Sequence, residues 1–179
     1  MKSNFLVCLI ILSLTGISAK SAIATNTSTT KQAQVTSAPT IAQLVRSNTS
    51  FEVELLRLTN IERQKVGLSP LKLSSRLGRS AQNHAADMAR NNYFSHTGRN
   101  GSSISDRAMA NGYKYSFLGE NIAAGKTTPE GTIRQWMNSP GHRANILKRE
   151  FTEIGFGYTN FSSSRYQHYW VQVFGTPQR

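Results

Sequence analysis

The stretch Trp136–Leu147 reads WMNSPGHRANIL and sets His142 as the third residue of a helix opened by Ser139 and Pro140. The positive end of a helix disfavours imidazolium, so this placement predicts a neutral ring. A neutral imidazole can ligate a metal or accept a proton. A plain hydrogen bond to a neighbouring loop explains the same position equally well. His96 closes the segment NNYFSH, at the end of a predicted helix, where a side chain can reach a cleft or simply sit in a loop. Glu120 stands between glycine and asparagine in GEN. A carboxylate there can orient an imidazole or a bound water, or serve only as a turn residue.

The remaining candidates read differently. His84 falls on the buried stripe of a predicted helix and is expected to be packed and hydrogen-bonded. His168 alternates with Tyr166 and Trp170, so it is expected on an aromatic core face of a strand. Ser139, His142 and Glu120 have the composition of a serine triad. Helix capping already accounts for Ser139, however, and no G-x-S-x-G elbow is present. The chain also lacks an H-E-x-x-H motif, a phosphate loop and a dinucleotide fingerprint. Two histidines 46 residues apart with an acid between them are compatible with an open metal site.

Positioning these groups requires a core, and the apolar pattern supplies one. Phe51, Leu55, Leu58 and Ile61 or Glu62 recur at helical spacing up to Gly67. A second helix starts at Ser74 or Ser75 and buries Leu77, Ala81, Ala85 and Met88. A short helix spans about Ser103 to Asn111 and stops at Gly112. GENIAAG reads as extended at its start, and TTPEGTIRQWM opens a helix with Thr128 as cap and Pro129 in the first turn. The tail changes period: EIGFGYTN and RYQHYWVQVFG flank FSSS and predict a β-hairpin. Helices first and strands later give an α+β fold, with helices packed on an antiparallel sheet.

The ends of the chain carry other information. MKSNFLVCLIILSLTGISAKSAIA has a lysine, a short apolar run and an A-x-A site at Ala22–Ala24, the pattern of a signal peptide over residues 1–24. The only cysteine, Cys8, lies inside that run behind Val7, which does not fit a lipoprotein signal. Residues 25–48 are rich in Thr, Ser, Ala and Gln and read as a flexible spacer. The folded domain is then expected over residues 49–176. Cleavage would leave no cysteine, so thiol nucleophiles and Cys-ligated metals are excluded, and the domain must be held by its core alone. The formal charge is +12. For an exported chain that favours anionic envelope polymers or lipid head groups over nucleic acid, although the basic residues form no block.

Six segments together resemble a known family: NIERQKVGLSPLKL, HAADMARNNYFSHTGRNG, RAMANGY, GENIAAG, WMNSPGHRANIL and YWVQVFG. Phe51–Gly175 is similar to bacterial members of the CAP superfamily, the SCP-like extracellular proteins named after cysteine-rich secretory proteins, antigen 5 and pathogenesis-related 1. The resemblance implies a three-layer α-β-α sandwich with a central antiparallel sheet. It also implies a shallow cleft built from two histidines and two acids. The matching residues are His96, Glu120 and His142, with His96 and His142 as ligands of a divalent cation, most often zinc. The second acid of many eukaryotic members falls at Ser139, so the expected set is His96, Glu120, His142 and Ser139.

The family shares no single reaction, and a fold hosts many functions. The first expectation is therefore a secreted or periplasmic binding module of the cell envelope, probing a small ligand, lipid or envelope polymer through this cleft. It would act as a monomer without a transmembrane span once the signal is removed. The alternative is a metal-assisted hydrolase of peptides or esters, with Glu120 orienting or deprotonating a metal-bound water. A third is a structural surface protein whose cleft binds nothing.

Overall fold

The computed structural model of the protein describes residues 41–178, with side chains described from Ser50 onward. The expected signal peptide and residues 25–40 of the expected spacer lie outside this range. Helix α1 runs Ile41–Gln64, so the last eight residues of the stretch read as spacer are helical. Ile41, Leu44 and Val45 stand at i, i+3 and i+4, a helical spacing masked by the polar residues around them.

Helix α2 (Ser75–Arg90) follows a two-residue strand β1 (Lys72–Leu73), and α3 (Ile104–Ala110) follows a loop. Strand β2 (Tyr115–Ala124) leads to α4 (Pro129–Met137) and α5 (Pro140–Ile146). Strands β3 (Glu153–Asn160) and β4 (His168–Pro177) form the expected antiparallel hairpin. The sheet order is β1-β3-β4-β2. Its three long strands are antiparallel, but β1 joins β3 in parallel, so the sheet is mixed rather than purely antiparallel. A two-residue edge strand carries no periodicity to read, which is why the sequence did not reveal it.

Alternation along β4 separates two cores. Tyr169, Val171 and Val173 face α2 and α3, with Leu77, Ala81, Ala85 and Met88. Trp170 and Phe174 face the opposite layer, with Leu55 of α1, Ile133 and Trp136 of α4 and Ile146 of α5. Helices thus cover both faces of the sheet, giving the α-β-α sandwich.

Local signals start most helices as expected. Ser103 and Asp106 form a reciprocal capping box at α3, and the Thr128 hydroxyl accepts from the Gly131 amide at 3.2 Å. Gly112 ends α3 at φ +76°, a conformation glycine adopts without penalty. Ser74 and Ser139 occupy N-cap positions, but neither side chain makes a capping bond. Capping therefore does not account for Ser139. Tyr166 also departs from expectation. Gln167 sits at φ +60°, which breaks the alternation, and Tyr166 packs against the α2 core while Trp170 faces the other.

The inward face of α1 is more polar than its apolar residues suggested. Its buried line is Leu55, Thr59 and Arg63, with Phe51 half-buried against the core. Arg63 donates to the carbonyls of Ser69, Ile146, Lys148 and Phe151 at 2.8–3.3 Å. It thereby caps the end of α5 from another helix and ties the β3 entry to α1. Arg63→Met keeps the length of the stem and removes these donors. We expect it to cost about 2–3 kcal/mol, as buried carbonyls lose their partners. Urea unfolding of the variant beside the parent checks this.

Candidate functional site

Glu120 lies at the centre of β2, on the sheet face that looks toward α2 and α3. Its side chain is 3% exposed. Oε1 meets His96 Nδ1 at 2.8 Å, and Oε2 accepts from Arg107 Nη2 at 2.7 Å. Burial raises the Glu120 pKa, but the His96 bond and the Arg107 charge outweigh it, and the net shift is downward. The carboxylate is therefore ionised and accepts only. His96 must donate through Nδ1–H, so whenever the ring is neutral Nε2 is its unprotonated nitrogen. His96 is 56% exposed, so the carboxylate fixes from behind a ring that is open in front.

Arg107 was not legible as a site residue. It is buried on α3 and also donates to the carbonyls of His96 and Ser102 at 3.0 and 2.9 Å. One guanidinium thus pairs the carboxylate and holds the loop between α2 and α3 at His96 and near its end at Ser102. His84, read as core, is indeed packed, with its Nε2 donating to the Ser95 carbonyl at 2.9 Å. It nevertheless stands 4.0 Å from Glu120 Oε1, so it belongs to the same cluster. Its Nδ1 is buried without a hydrogen-bond partner. Burial above all lowers its pKa, with Glu120 opposing, and the ring is neutral.

His142 arrives from the other face of the sheet. A polar chain crosses the layer: Gln172 of β4 donates to Thr59 of α1 at 2.9 Å, and Asn121 of β2 donates to Gln172 at 3.0 Å. Asn121 also donates to the His142 carbonyl at 3.0 Å, and Asn145 donates to Asn121 at 2.9 Å and to the Glu120 carbonyl at 3.2 Å. The residues flanking Glu120 and His142 therefore lock α5 onto the same stretch of β2. His142 is half-buried, and its Nδ1 has no partner. Burial above all, with the neighbouring His96 adding to it, pushes its pKa down. The ring is neutral as expected, although burial rather than the helix end is the main cause.

Ser139 takes a different place. Among the described residues no hydrogen bond joins it to His142, or His142 to Glu120. Ser139 instead lines a hollow between the β2–α4 loop and α4. His168 sits on the sheet beside Tyr158, bonded to its hydroxyl at 2.8 Å, away from the cluster.

The donor set bears on metal binding. Among the described residues no three His, Cys, Asp or Glu side chains are grouped to hold an ion. Both Glu120 oxygens are committed. What remains is His96 Nε2 and the ring of His142, with Glu120 as the carboxylate behind one imidazole. This set is two imidazoles, one of them backed by a carboxylate that raises its basicity. It has one ligand fewer than the three protein ligands of catalytic zinc sites.

The family model described as the Cysteine-rich secretory protein family, CAP, matches residues 56–174. The chain belongs to this family. The chain is 39% identical over 155 residues to YkwD of Bacillus subtilis (strain 168), a match covering 87% of this chain and 58% of that protein. It is 36% identical over 109 residues to the membrane protein YlbC of the same organism, covering 61% and 32%. The match thus spans little more than half of the first relative and a third of the second. Among solved structures, an extracellular SCP-domain protein from Bacillus anthracis is 29% identical with a TM-score of 0.68, over 77% of this chain and 44% of that one. An outer surface protein from Borrelia burgdorferi shares the fold at 21% identity and a TM-score of 0.65, over 70% and 92%. No described helix of the CAP domain is long and apolar enough to cross a membrane.

The cluster makes the stability of the CAP domain sensitive to acid. His84 and His142 stay neutral in the fold below about 6.5, where a free imidazole takes its proton. As pH falls through that value the unfolded chain binds more protons than the folded one, and stability drops. Glu120 adds a second loss at lower pH, starting where free carboxylates protonate and running down through its own lowered value. The melting temperature is expected to be flat above pH 7.5 and to fall between pH 7 and pH 5. Thermal unfolding across that range reads it.

Proposed function

We propose that this CAP domain is a secreted, non-enzymatic binding module at or beyond the cell envelope, whose cleft presents His96 and His142 to a divalent cation, zinc above all, or to a small ligand. One observation carries the reading. Glu120, among the described residues the only carboxylate that touches His96, is buried and spends both oxygens on His96 and Arg107. An ionised, lowered-pKa carboxylate in that state is a weak base with no free face toward a water. It suits a positioning residue, and metal-assisted hydrolysis would need it to do more. Extracellular and outer-surface structural relatives support placement outside the cytoplasm.

In this reading Glu120 fixes the tautomer of His96, Arg107 fixes Glu120, and Asn121 and Asn145 fix α5 so that His142 keeps its place. Bound zinc would supply a positive charge to attract an anionic or lone-pair group of a ligand. Titration of the protein with zinc, followed through the histidine ring signals by NMR, tests the proposal. The His96 and His142 rings are expected to shift together and to saturate, and His96→Ala to abolish the response of His142. Independent responses, or none, would refute the shared site. Hydrolysis of a peptide or ester that is lost in chelator and restored by zinc would favour the enzymatic alternative.

A further inference from the structure

The hollow that Ser139 lines is a second place where the chain offers chemistry, and it does not involve the imidazoles. It measures about 820 Å³ and opens where β2 leaves the sheet and α4 begins. Two cations line it, Lys126 and Arg134, and no acidic side chain does. Among the described residues neither cation has a carboxylate within salt-bridge distance, Glu130 one turn before Arg134 included. A Cβ built on Gly131 would lie 3.8 Å from Lys126 Cδ and 3.9 Å from Arg134 Nη2. The two cationic side chains therefore flank one bare patch of backbone.

The walls are held in place. Trp170 Nε1 donates to the Lys126 carbonyl at 2.6 Å, which fixes the loop from the core. The Gly131 amide donates to the Thr128 hydroxyl, which fixes the start of α4. A ligand would thus meet a formed surface and lose little free energy to ordering the loop. The other polar lining side chains are Thr127, Thr128, Gln135, Asn138 and Ser139. The Ser139 hydroxyl makes no capping bond and is free to pair with a ligand. Ala124 is the only apolar side chain of the lining, and no aromatic ring is present. Such walls suit hydroxyl groups and anions. They give no seat to an acyl chain, and no ring on which a nucleobase would stack.

We propose that this hollow binds an anionic glycan, with Lys126 and Arg134 pairing its carboxylate or phosphate groups and the amides and hydroxyls pairing its sugar hydroxyls. The site is separate from the imidazole pair and stands whether or not that pair takes a metal.

The test is fluorescence anisotropy with labelled polygalacturonate, beside neutral dextran of equal length and vesicles containing phosphatidylglycerol. The protein is expected to bind polygalacturonate, less tightly as salt rises, and to ignore dextran. Lys126→Gln with Arg134→Gln should weaken binding about tenfold or more, the loss of two charge-assisted contacts. Arg76→Gln with Arg90→Gln removes the same charge from exposed positions elsewhere and should weaken it less than about twofold. His96→Ala and His142→Ala should leave it unchanged. Equal losses in the two charge pairs would show diffuse attraction and overturn the proposal. So would loss of binding in a histidine variant, equal binding of dextran, or capture by vesicles without capture by polygalacturonate.

Discussion

Replacing Arg107 with leucine should destabilise the domain by about 3–5 kcal/mol, because it leaves the Glu120 carboxylate buried without its cation. The guanidinium also holds the carbonyls of His96 and Ser102, so its loss frees the loop as well as the charge. Glu120 would then answer burial by taking a proton at a higher pH, and a protonated Glu120 no longer requires a donor at His96 Nδ1. Two consequences follow together: a lower urea midpoint and a His96 ring that loses its fixed orientation. Arg107→Leu combined with Glu120→Leu removes both charges and should be more stable than Arg107→Leu alone, since a pair replaced by apolar groups costs less than half a pair left behind. A loss under about 1 kcal/mol for the single variant would mean that water reaches the pair, contrary to the burial of both side chains.

Gly155→Ala and Gly157→Ala should each cost about 3 kcal/mol or more, the upper end of what overpacking a core does. These two glycines of β3 lie under α2. A Cβ on Gly155 would press into the Gly78 amide nitrogen and the Leu77 carbonyl carbon, and one on Gly157 into the backbone of Ala81. Backbone cannot rotate aside, so α2 would have to lift from the sheet. That helix carries His84 and leads into the His96 loop, so the site should loosen with the fold. Gly78→Ala is the useful contrast, because its Cβ would meet Glu52 Oε1 at 3.2 Å, the far end of a flexible side chain. There the gain from a better helix former offsets the crowding, and the change should stay within about 1 kcal/mol. Thermal and urea unfolding of the three variants separates these cases.

The sequence revealed those parts of the fold that are local. Ser103 with the stop at Gly112, Thr128 with Pro129, and the apolar stripe of Leu77, Ala81, Ala85 and Met88 each declare a helix within a few residues. The β-rich run in YWVQVFG declares a strand. What stayed hidden depends on residues far apart in the chain. Arg63 and Thr59 look like the polar side of an amphipathic helix until Ile146, Lys148 and Gln172 are brought against them. Periodicity assigns polar residues outward by default, and a buried hydrogen-bonded line breaks that rule without leaving a mark. The same holds at the site. His96 and His142 stood out by residue type and by their place at segment ends, and Glu120 by its place between glycine and asparagine. Arg107 sits inside a short helix, and Asn121 and Asn145 are common polar residues with nothing unusual in their spacing. Ser139 was drawn toward the imidazoles because it lies three residues from His142, yet the turn into α5 gives it to a different hollow.

An ionised, buried Glu120 holds His96 in the Nδ1–H form and leaves its Nε2 bare toward solvent. Long-range proton–nitrogen NMR correlation of the histidine rings at pH 7.5 reads this directly. The His96 ring is expected with a protonated Nδ1 and an unprotonated Nε2, and Glu120→Gln is expected to lose that single form. A His96 ring protonated at Nε2, or one that exchanges between both forms in the parent protein, would contradict it.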